Sequence, residues 1–331
     1  MIASIGIVAL NEEACLPQLL ENILAQTYPH KEIELLLVDS GSVDSTRKIM
    51  EDFAQKHRES FWGIQVLDNP KRIQAAGWNQ VISHAKGDVV FRIDAHARIP
   101  EQFVEKNMAL QDQGHFVTGG IRPCLIENPT PWKKLLLAVE NSLFGSSFGR
   151  NKSGYVKTMF HAAYRREVLE KVGLFNENLL RTEDNEIHYR IRQAGYRLYS
   201  DENIVSWQFA RSNLKKMVRQ KYANGYWIGL TLGVCPGCIS PYHLVPFVFL
   251  LGILGTRLLA VFSLWQLAAL MWGAYFLFAL AGMAGALLTK STGILVIFMP
   301  PLFLLLHVSY GIGTLVGLLK MPAWRKKLSK K

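Results

Sequence analysis

Short apolar runs alternate with amphipathic stretches over the first 125 residues of the chain. Four of the runs have the length and composition of β-strands: Ser4–Ala9, Glu34–Val38, Gly63–Leu67 and Val89–Ile93. Apolar residues recur at helical spacing in about Cys15–Ala25, Ser45–Lys56, Gln74–Ala85 and Glu101–Gln111. Such alternation is typical of βαβ units, so the pattern predicts an α/β fold with a largely parallel sheet.

The pattern changes at about residue 240. From Pro241 to Leu319 the only charged residues are Arg257 and Lys290. Three apolar stretches there reach the roughly 20 residues that a membrane-crossing helix needs: Tyr242–Phe262, Leu264–Leu288 and Gly293–Leu319. Because these stretches have no polar face for water, we predict C-terminal transmembrane helices.

The chain therefore divides into four predicted parts. These are a soluble domain (1–211), a basic amphipathic interface segment (212–240), a membrane domain of two to three helices (241–320) and a basic tail (321–331). The start of the chain has no secretory signal pattern, so we expect the first domain in the cytoplasm. The basic tail is also expected there. Three full spans would place the tail outside, which makes Tyr242–Phe262 a candidate re-entrant or interfacial segment.

The chain carries a net charge of +11. Such a charge is compatible with nucleic acid, anionic lipid or a phosphate-rich substrate as partner. Lys215, Lys216, Arg219 and Lys221 lie just before the first membrane stretch, where basic residues meet lipid headgroups. A solvated helix face is the alternative reading of these four residues. We therefore expect a lipid bilayer, and no nucleic acid, as partner of a multi-pass membrane protein.

Candidate chemistry lies at predicted strand ends, where open α/β sheets bind ligands. Asp39 follows one strand and can accept hydrogen bonds from a base or ribose. Asp94 and His96 close another strand, and side chains two apart in an extended chain point the same way. Carboxylate and imidazole together can hold a divalent cation and a diphosphate. The alternative is a capping Asp beside a solvent-facing His.

Three acids, Glu183, Asp184 and Glu186, begin an amphipathic helical stretch. Acids are favourable at this position because of the helix dipole alone. A crowd of carboxylates can also tune one of its members as a proton acceptor. Both interpretations stay open on the residues themselves.

Together, four ordered segments resemble the GT-A-fold, family 2 inverting glycosyltransferases, and the resemblance runs from about Ile5 to Trp227. The segments are Ile7–Glu13, Leu37–Thr46, Gly87–His96, and Ala163–Phe175 with the later Glu183-Asp184. The resemblance implies a GT-A Rossmann-like mixed sheet flanked by helices and followed by C-terminal transmembrane helices. It also implies an enzyme that transfers a sugar from a nucleotide-sugar donor.

By the same resemblance, Ala9, Glu12 and Asp39 would hold the nucleoside, and Arg72 and Asp94 the diphosphate and metal. The family usually has Asp-x-Asp at the metal, whereas this sequence has His96 in the second place. Asp94 and His96 would thus bind Mg²⁺ or Mn²⁺.

The resemblance makes Asp184 the catalytic base. With His96 in place of the second Asp of the metal motif, and with membrane helices after the catalytic domain, the chain looks most like the succinoglycan-type exopolysaccharide glycosyltransferases of bacteria. This implies a UDP-sugar donor and a polyprenyl-diphosphate-linked acceptor. The alternatives are a polyprenyl-phosphate glycosyltransferase and an inactive nucleotide-sugar-binding membrane protein. The Gln-x-x-Arg-Trp signature of processive members is matched only loosely, by Val218, Lys221 and Tyr222, which disfavours a polymerase.

Overall fold

The computed structural model describes residues 1–126, 128–142, 152–209, 213–288 and 293–329. The chain forms two compact units. The first contains Met1–Pro123 and Arg150–Gln208, and the second contains Cys124–Gly149 and Phe209–Lys331. The predicted boundary at 211/212 and the end of the basic tail lie outside the described residues, and the four-part division stays a prediction.

Eleven strands and eleven α-helices make up the described parts. The strands are β1 (Ala3–Ala9), β2 (Ile33–Asp39), β3 (Gly63–Asp68), β4 (Val89–Asp94), β5 (Ala97–Arg98), β6 (Val117–Ile121), β7 (Cys124–Leu125), β8 (Gly154–Val156), β9 (Ala163–Arg165), β10 (Leu198–Val205) and β11 (Trp207–Phe209). The helices are α1 (Leu16–Leu24), α2 (Thr46–His57), α3 (Gln74–His84), α4 (Phe103–Asp112), α5 (Pro131–Glu140), α6 (Arg166–Val172), α7 (Glu183–Gln193), α8 (Leu214–Thr231), α9 (Val245–Val261), α10 (Trp265–Leu288) and α11 (Met299–Leu328).

The first unit is built on an eight-stranded sheet of order β3-β2-β1-β4-β9-β6-β10-β8. Strands β1 to β4 are parallel, and β9 lies antiparallel between β4 and β6. The sheet is therefore mixed, which confirms the predicted fold class. The strands and helices predicted over the first 125 residues agree with the structure to within two residues at each end.

Alternate residues of the central strands pack on opposite faces of the sheet. Ile5 and Ile7 pack into a core with α1 and α4, whereas Leu36 and Val38 pack into a core with α3, α6 and α7. Every residue of β2 is buried, as expected for a parallel strand covered on both faces. Burial of each such side chain stabilises the fold by roughly 1.5–3 kcal/mol, which fixes the strand ends that carry the site.

The second unit contains three helical segments that are long and apolar enough to cross a membrane, by length and composition. They are Pro241–Val261, Trp265–Leu288 and Gly293–Leu328, and they correspond to the three apolar stretches of the sequence. Residues 289–292, between the second and third stretches, lie outside the described residues. α5 also belongs to this unit, and its Leu135, Leu136 and Val139 pack in one core with α11.

Glycines bring α8 and α11 into close backbone contact. A Cβ atom on Gly225 would overlap the carbonyl oxygen of Tyr310, and one on Gly229 would lie 2.5 Å from that of Thr314. Because both partners advance in the same direction, the two helices run parallel. Small residues four apart allow this close packing in membrane helices.

The basic segment before the membrane has two unlike faces. Lys215, Lys216 and Arg219 are exposed on α8. Lys221 is only 8% exposed, and its Nζ donates to Oε1 of Glu140 on α5 at 3.0 Å. The prediction that all four side chains meet lipid headgroups is therefore wrong for Lys221, because its ammonium group lies in an ion pair between two helices.

Candidate active site

The carboxyl ends of three neighbouring parallel strands lie side by side and form what is called here the carboxyl edge, or simply the edge, of the sheet. Ala9 at the end of β1 lies opposite Asp39 at the end of β2, and Val8 lies opposite Asp94 at the end of β4. The Ala9 carbonyl accepts a hydrogen bond from the amide of Ser40 at 2.9 Å. Three of the predicted site residues are thus brought together by strand register.

The loops that follow β1 and β2 are joined by reciprocal hydrogen bonds. The Asn11 amide donates to Ser42 Oγ, and the Val43 amide donates to Asn11 Oδ1, both at 2.9 Å. The Glu12 amide donates to Thr46 Oγ1 at 2.8 Å. Asn11 has a left-handed φ of 56°, a conformation that Asn tolerates better than most residues. The backbone that carries Glu12 is thereby fixed beside the Asp39 loop.

Asp39 organises its own loop, and that loop binds Arg72. The Asp39 carboxylate accepts hydrogen bonds from the Gly41 and Ser42 amides at 3.2 Å. Arg72 Nη2 then donates to the Gly41 carbonyl at 2.7 Å. The Arg72 guanidinium therefore lies over the β2 loop, at the same edge of the sheet as Ala9 and Asp39.

His96 reaches this edge by a turn. β4 ends at Asp94, and Ala95 and His96 turn the chain back into β5. The expectation that Asp94 and His96 stand on one face of an extended strand is therefore wrong. His96 Nδ1 lies 3.2 Å from Glu12 Oε1, so the turn places the imidazole beside the loop that follows β1, the strand that pairs with the end of β4.

The Asp94 carboxylate is held by groups from three directions. Gln74 Nε2, at the start of α3, donates to Oδ1 at 3.2 Å. His161 Nε2 lies 3.3 Å from Oδ2, and Arg122 Nη1 lies 3.9 Å from the same oxygen. The Arg122 guanidinium carbon in turn lies 3.3 Å from the centroid of the Phe160 ring. The orientation of Asp94 is therefore set before any ligand binds.

The protonation states follow from burial and from these partners. Burial alone would raise the pKa of Asp94, but the His161 hydrogen bond and nearby positive charges, including Arg92, hold it well below its usual range. Burial lowers the pKa of His161, so its ring is neutral at pH 7. A neutral ring donates from Nε2 to Asp94 and accepts at Nδ1 from Ser206 Oγ, 2.8 Å away.

The chemistry of the site fits a divalent cation that shares its ligands with a substrate. Within the described residues, no three His, Cys, Asp or Glu side chains are grouped so that they could hold a metal alone. Mg²⁺ in proteins commonly has one or two carboxylate ligands, with waters and substrate phosphates completing its shell. Asp94 keeps lone pairs beyond those used by Gln74 and His161, and His96 adds a nitrogen.

The three acids at the start of α7 have different surroundings. Glu186 is paired with Arg190, with Oε1 to Nε at 2.7 Å. Glu183 is 3% exposed, and its burial and the Asp184 charge raise its pKa to about 7 against the opposing effect of Arg92. Asp184 is partly exposed and accepts the Asn185 amide at 2.8 Å. Of the three, Asp184 is the acid best placed to meet a substrate.

His161, Arg122 and Gln74 were not predicted as site residues. His161 reaches Asp94 because β9 pairs antiparallel with β4, with the Arg92 amide donating to the Ala162 carbonyl at 2.8 Å. β9 is only three residues long, so no local pattern predicts this pairing. The sequence signal that could have pointed to His161 as a site residue is its position directly before the segment Ala162–Arg165.

The mixed sheet flanked by helices is that of the GT-A fold. The family described as Glycosyl transferase family 2 matches residues 4–173, and the chain belongs to that family.

Two relatives and one solved structure extend the comparison. The chain is 28% identical over 325 residues to the dolichyl N-acetyl-alpha-D-glucosaminyl phosphate 3-beta-D-2,3-diacetamido-2,3-dideoxy-beta-D-glucuronosyltransferase of Methanococcus voltae, covering 96% of this chain and 97% of that one. It is 27% identical to the succinoglycan biosynthesis protein ExoA of Rhizobium meliloti, with 82% and 84% covered.

The solved structure is the mannosyltransferase PcManGT of Pyrobaculum calidifontis in complex with GDP-Man and Mn²⁺. Its TM-score is 0.59 at 21% identity, with 96% of this chain and 86% of that one covered. At this identity the likeness concerns the fold alone.

Proposed function

We propose that this glycosyltransferase is metal-dependent and inverting, and that it moves a sugar from a UDP-sugar to a lipid-linked saccharide in cell-surface or exopolysaccharide synthesis. The observation that carries the proposal is the shared edge of β1, β2 and β4. This edge brings Ala9, Asp39 and Asp94 together beside loops fixed by mutual hydrogen bonds, which supports a nucleotide and metal site there.

On the donor side, Ala9, Glu12 and Asp39 hold the nucleoside, and Arg72 and Asp94 face its diphosphate. The exposed Arg72 guanidinium, steadied by the Gly41 carbonyl, binds phosphate oxygens by charge-assisted hydrogen bonds. Asp94 and His96 hold Mg²⁺ or Mn²⁺. When bound, the cation neutralises charge that develops on the leaving diphosphate. Gln74 and His161 keep Asp94 oriented for that task.

On the acceptor side, Asp184 is the general base. Inversion requires that the acceptor hydroxyl attack the face of the sugar opposite the leaving group. The partly exposed Asp184 carboxylate takes the proton from that hydroxyl, and such catalysis contributes roughly 10²- to 10⁴-fold. Glu183 is buried and Glu186 is neutralised by Arg190, so neither competes for this role.

The proposed acceptor is a saccharide on polyprenyl diphosphate. The relative from Methanococcus voltae, which aligns over nearly its full length, is named for a dolichyl N-acetyl-alpha-D-glucosaminyl phosphate, and the Rhizobium relative for succinoglycan. Three helices able to cross a bilayer suit a substrate that stays in the membrane. We also propose a multi-pass arrangement in the cell membrane with the first unit facing the cytoplasm.

The test uses the full chain in lipid nanodiscs with a panel of nucleotide-sugars. Nucleoside diphosphate release and radiolabel in the lipid fraction are measured with polyprenyl diphosphate saccharide or with polyprenyl phosphate as acceptor. We expect transfer to the saccharide, loss in EDTA and recovery with Mn²⁺ or Mg²⁺. Transfer only to polyprenyl phosphate supports the second acceptor class. Donor binding without turnover under every condition overturns the catalytic proposal in favour of a binding protein.

A further inference from the structure

Asn69 is a buried polar residue to which the proposed chemistry gives no task. It directly follows β3 and is 2% exposed. Its Nδ2 donates to the Ser40 hydroxyl oxygen at 2.9 Å and to the Ile73 carbonyl at 2.8 Å. A buried amide is costly unless its hydrogen bonds are made, and here both are well formed. The Asn69 side chain therefore joins the loop after β2 to the segment that leads into α3.

The backbone of Asn69 makes two more hydrogen bonds at the same place. Its amide donates to the Asp39 carbonyl at 2.8 Å, and its carbonyl accepts from the Arg72 amide at 3.1 Å. The first bond continues the pairing of β2 with β3, in which Asp39 lies opposite Asp68. The second closes a β-turn that ends at Arg72. Asn69 is thus fixed to the end of β2 and holds the turn that presents Arg72.

Arg72 has a backbone conformation that needs such support. Its φ is 56°, in the left-handed region that residues other than glycine adopt only where their surroundings hold them there. The Arg72 guanidinium lies against Gly41: Nη2 donates to the Gly41 carbonyl at 2.7 Å, and a Cβ on Gly41 would lie 3.3 Å from Arg72 Nε. The strained turn therefore directs the Arg72 side chain across the loop after β2.

Helix α3 packs directly on the Asn69 amide. A Cβ on Gly77 would lie 3.2 Å from Asn69 Nδ2 and 2.5 Å from Val8 Cγ1, so the glycine leaves the space that the amide uses. The Gly77 amide donates to the Ile73 carbonyl at 3.1 Å, and this is the carbonyl that also accepts from Asn69. The position of the Asn69 side chain is thus set by the loop after β2 and by the start of α3.

We propose that Asn69 is a positioning residue for binding of the donor diphosphate. It locks the turn after β3 to the loop after β2, so that the Arg72 guanidinium stays over Gly41 and faces phosphate oxygens in a fixed position. An arginine side chain loses much conformational freedom when it is ordered. Ordering it before the ligand arrives raises affinity, because less freedom is lost on binding. The inference rests on the proposed role of Arg72 at the diphosphate.

Two consequences separate this role from a general contribution to the fold. Loss of the Asn69 side chain should weaken binding of the phosphates but not of the nucleoside, because it acts on Arg72. It should also have little further effect once the Arg72 guanidinium is absent. A variant that only destabilises the domain shows neither behaviour.

The experiment compares Asn69→Ala, Arg72→Asn and the double variant with wild type, as full chains in lipid nanodiscs. Arg72→Asn removes the guanidinium but tolerates the left-handed φ. Asn107→Ala on α4 is the matched control, because Asn107 is also buried, donates to the Phe103 carbonyl at 2.9 Å and accepts from the Thr118 hydroxyl at 2.9 Å. Calorimetry in Mg²⁺ measures the Kd of UDP, of uridine and of inorganic pyrophosphate.

We expect the Kd of UDP and of pyrophosphate to rise about tenfold in Asn69→Ala, the size of a weakened bond to a charged group. The Kd of uridine should stay near that of wild type. In the Arg72→Asn background, Asn69→Ala should change the Kd of UDP by no more than about twofold, because two changes that act through one contact are not additive. Asn107→Ala should bind all three compounds like wild type.

The proposal is overturned by an unchanged Kd of UDP in Asn69→Ala, by an equal loss of uridine binding, or by a full additional loss in the double variant. If Asn69→Ala does not fold, Ser40→Ala, which removes only the hydroxyl that accepts from Asn69, decides it by the same comparison of UDP with uridine.

Failure of the proposed function gives a different result. A wild-type chain that binds UDP but transfers no sugar refutes the proposed transfer and leaves the binding test of Asn69 intact. A wild-type chain that binds pyrophosphate but not UDP refutes the UDP-sugar donor, and the pyrophosphate series then decides the role of Asn69. Binding of neither compound overturns both.

Discussion

The side chains of the proposed site are of two kinds, ligands and the supports that hold those ligands in place. Asp94 and His96 are the proposed cation ligands, whereas Gln74 and His161 are supports that contact Asp94. Supports of this kind keep a carboxylate in one orientation. The consequences of a substitution therefore depend on whether it removes a ligand or a support.

Asp94→Ala is expected to abolish metal-dependent transfer and to weaken donor binding, because it removes the carboxylate at the centre of the proposed cation site. His96→Asp should stay active with a metal preference shifted toward Mg²⁺, since oxygen ligands favour harder cations. Donor binding by calorimetry, with Mn²⁺ and Mg²⁺ in turn, checks both variants. Wild-type affinity for donor and metal in Asp94→Ala would show that the site is elsewhere.

Asp184→Asn keeps the size and the hydrogen bonding of a helix start but cannot accept a proton. We expect turnover to fall by roughly 10² or more with donor affinity nearly unchanged. Glu186→Gln is the control on the same turn, since Glu186 is already paired with Arg190. Single-turnover kinetics and donor titration separate the two effects. Near-normal turnover in Asp184→Asn would leave Asp184 as a helix-start residue only.

At the scale of elements, the local sequence pattern predicts some strands and helices, whereas others need the tertiary structure. β1, β2 and β4 are buried strands and β3 is a partly buried one, with helices between them, so periodicity alone locates them. β9 has three residues and pairs with β4 across about 70 residues of chain, so its place and the resulting contact of His161 with Asp94 need the tertiary structure. The turn at Ala95 and His96 likewise carries no signal that distinguishes it from a longer strand.

The packing of α8 on α11 gives a prediction for one glycine. In Gly229→Leu the new side chain meets the Thr314 carbonyl and the Leu318 amide, so the helices must separate. Overpacking of this kind costs roughly 1–3 kcal/mol, or several degrees in the unfolding temperature. Gly273→Leu on α10 is the control, because no atom lies within 4 Å of the added Cβ. Thermal unfolding in nanodiscs should show a lower unfolding temperature for Gly229→Leu than for Gly273→Leu. Equal changes in the unfolding temperature of the two variants would contradict the role of the glycine contact.

At the scale of the whole molecule, charge is distributed very unevenly. Residues 209–331 contain 13 Lys and Arg and no Asp or Glu, so the entire positive balance of the chain belongs to this part. Basic side chains occur at the start of α8 and at the end of the parallel α11. Because both ends of this helix pair are basic, the positive-inside rule does not select one orientation. This explains why three full membrane spans and a basic tail in the cytoplasm conflict in the sequence.

Helix α5 belongs to the second unit although it lies between two parts of the first unit in the sequence. A chain cut before the membrane helices therefore keeps α5 without its packing partner. Removal of residues 209–331 takes away α11 and exposes Leu135, Leu136 and Val139, an apolar surface that water does not tolerate. We expect this fragment to pellet with membranes or to aggregate. The same fragment with these three residues changed to Gln, Gln and Thr should be soluble. Sedimentation after a carbonate wash checks both, and a soluble unmodified fragment would contradict the assignment of α5 to the second unit.

The contact of α8 with α11 also has a consequence for biogenesis. α8 leaves the ribosome first, and the whole of α9 and α10 is made before α11 can reach it. At roughly 5–20 residues per second, the glycine face of α8 stays bare for several seconds in every new molecule. The helix pair is therefore incomplete until the last helix is made, and the arrival of α11 is the event that covers the glycine face of α8.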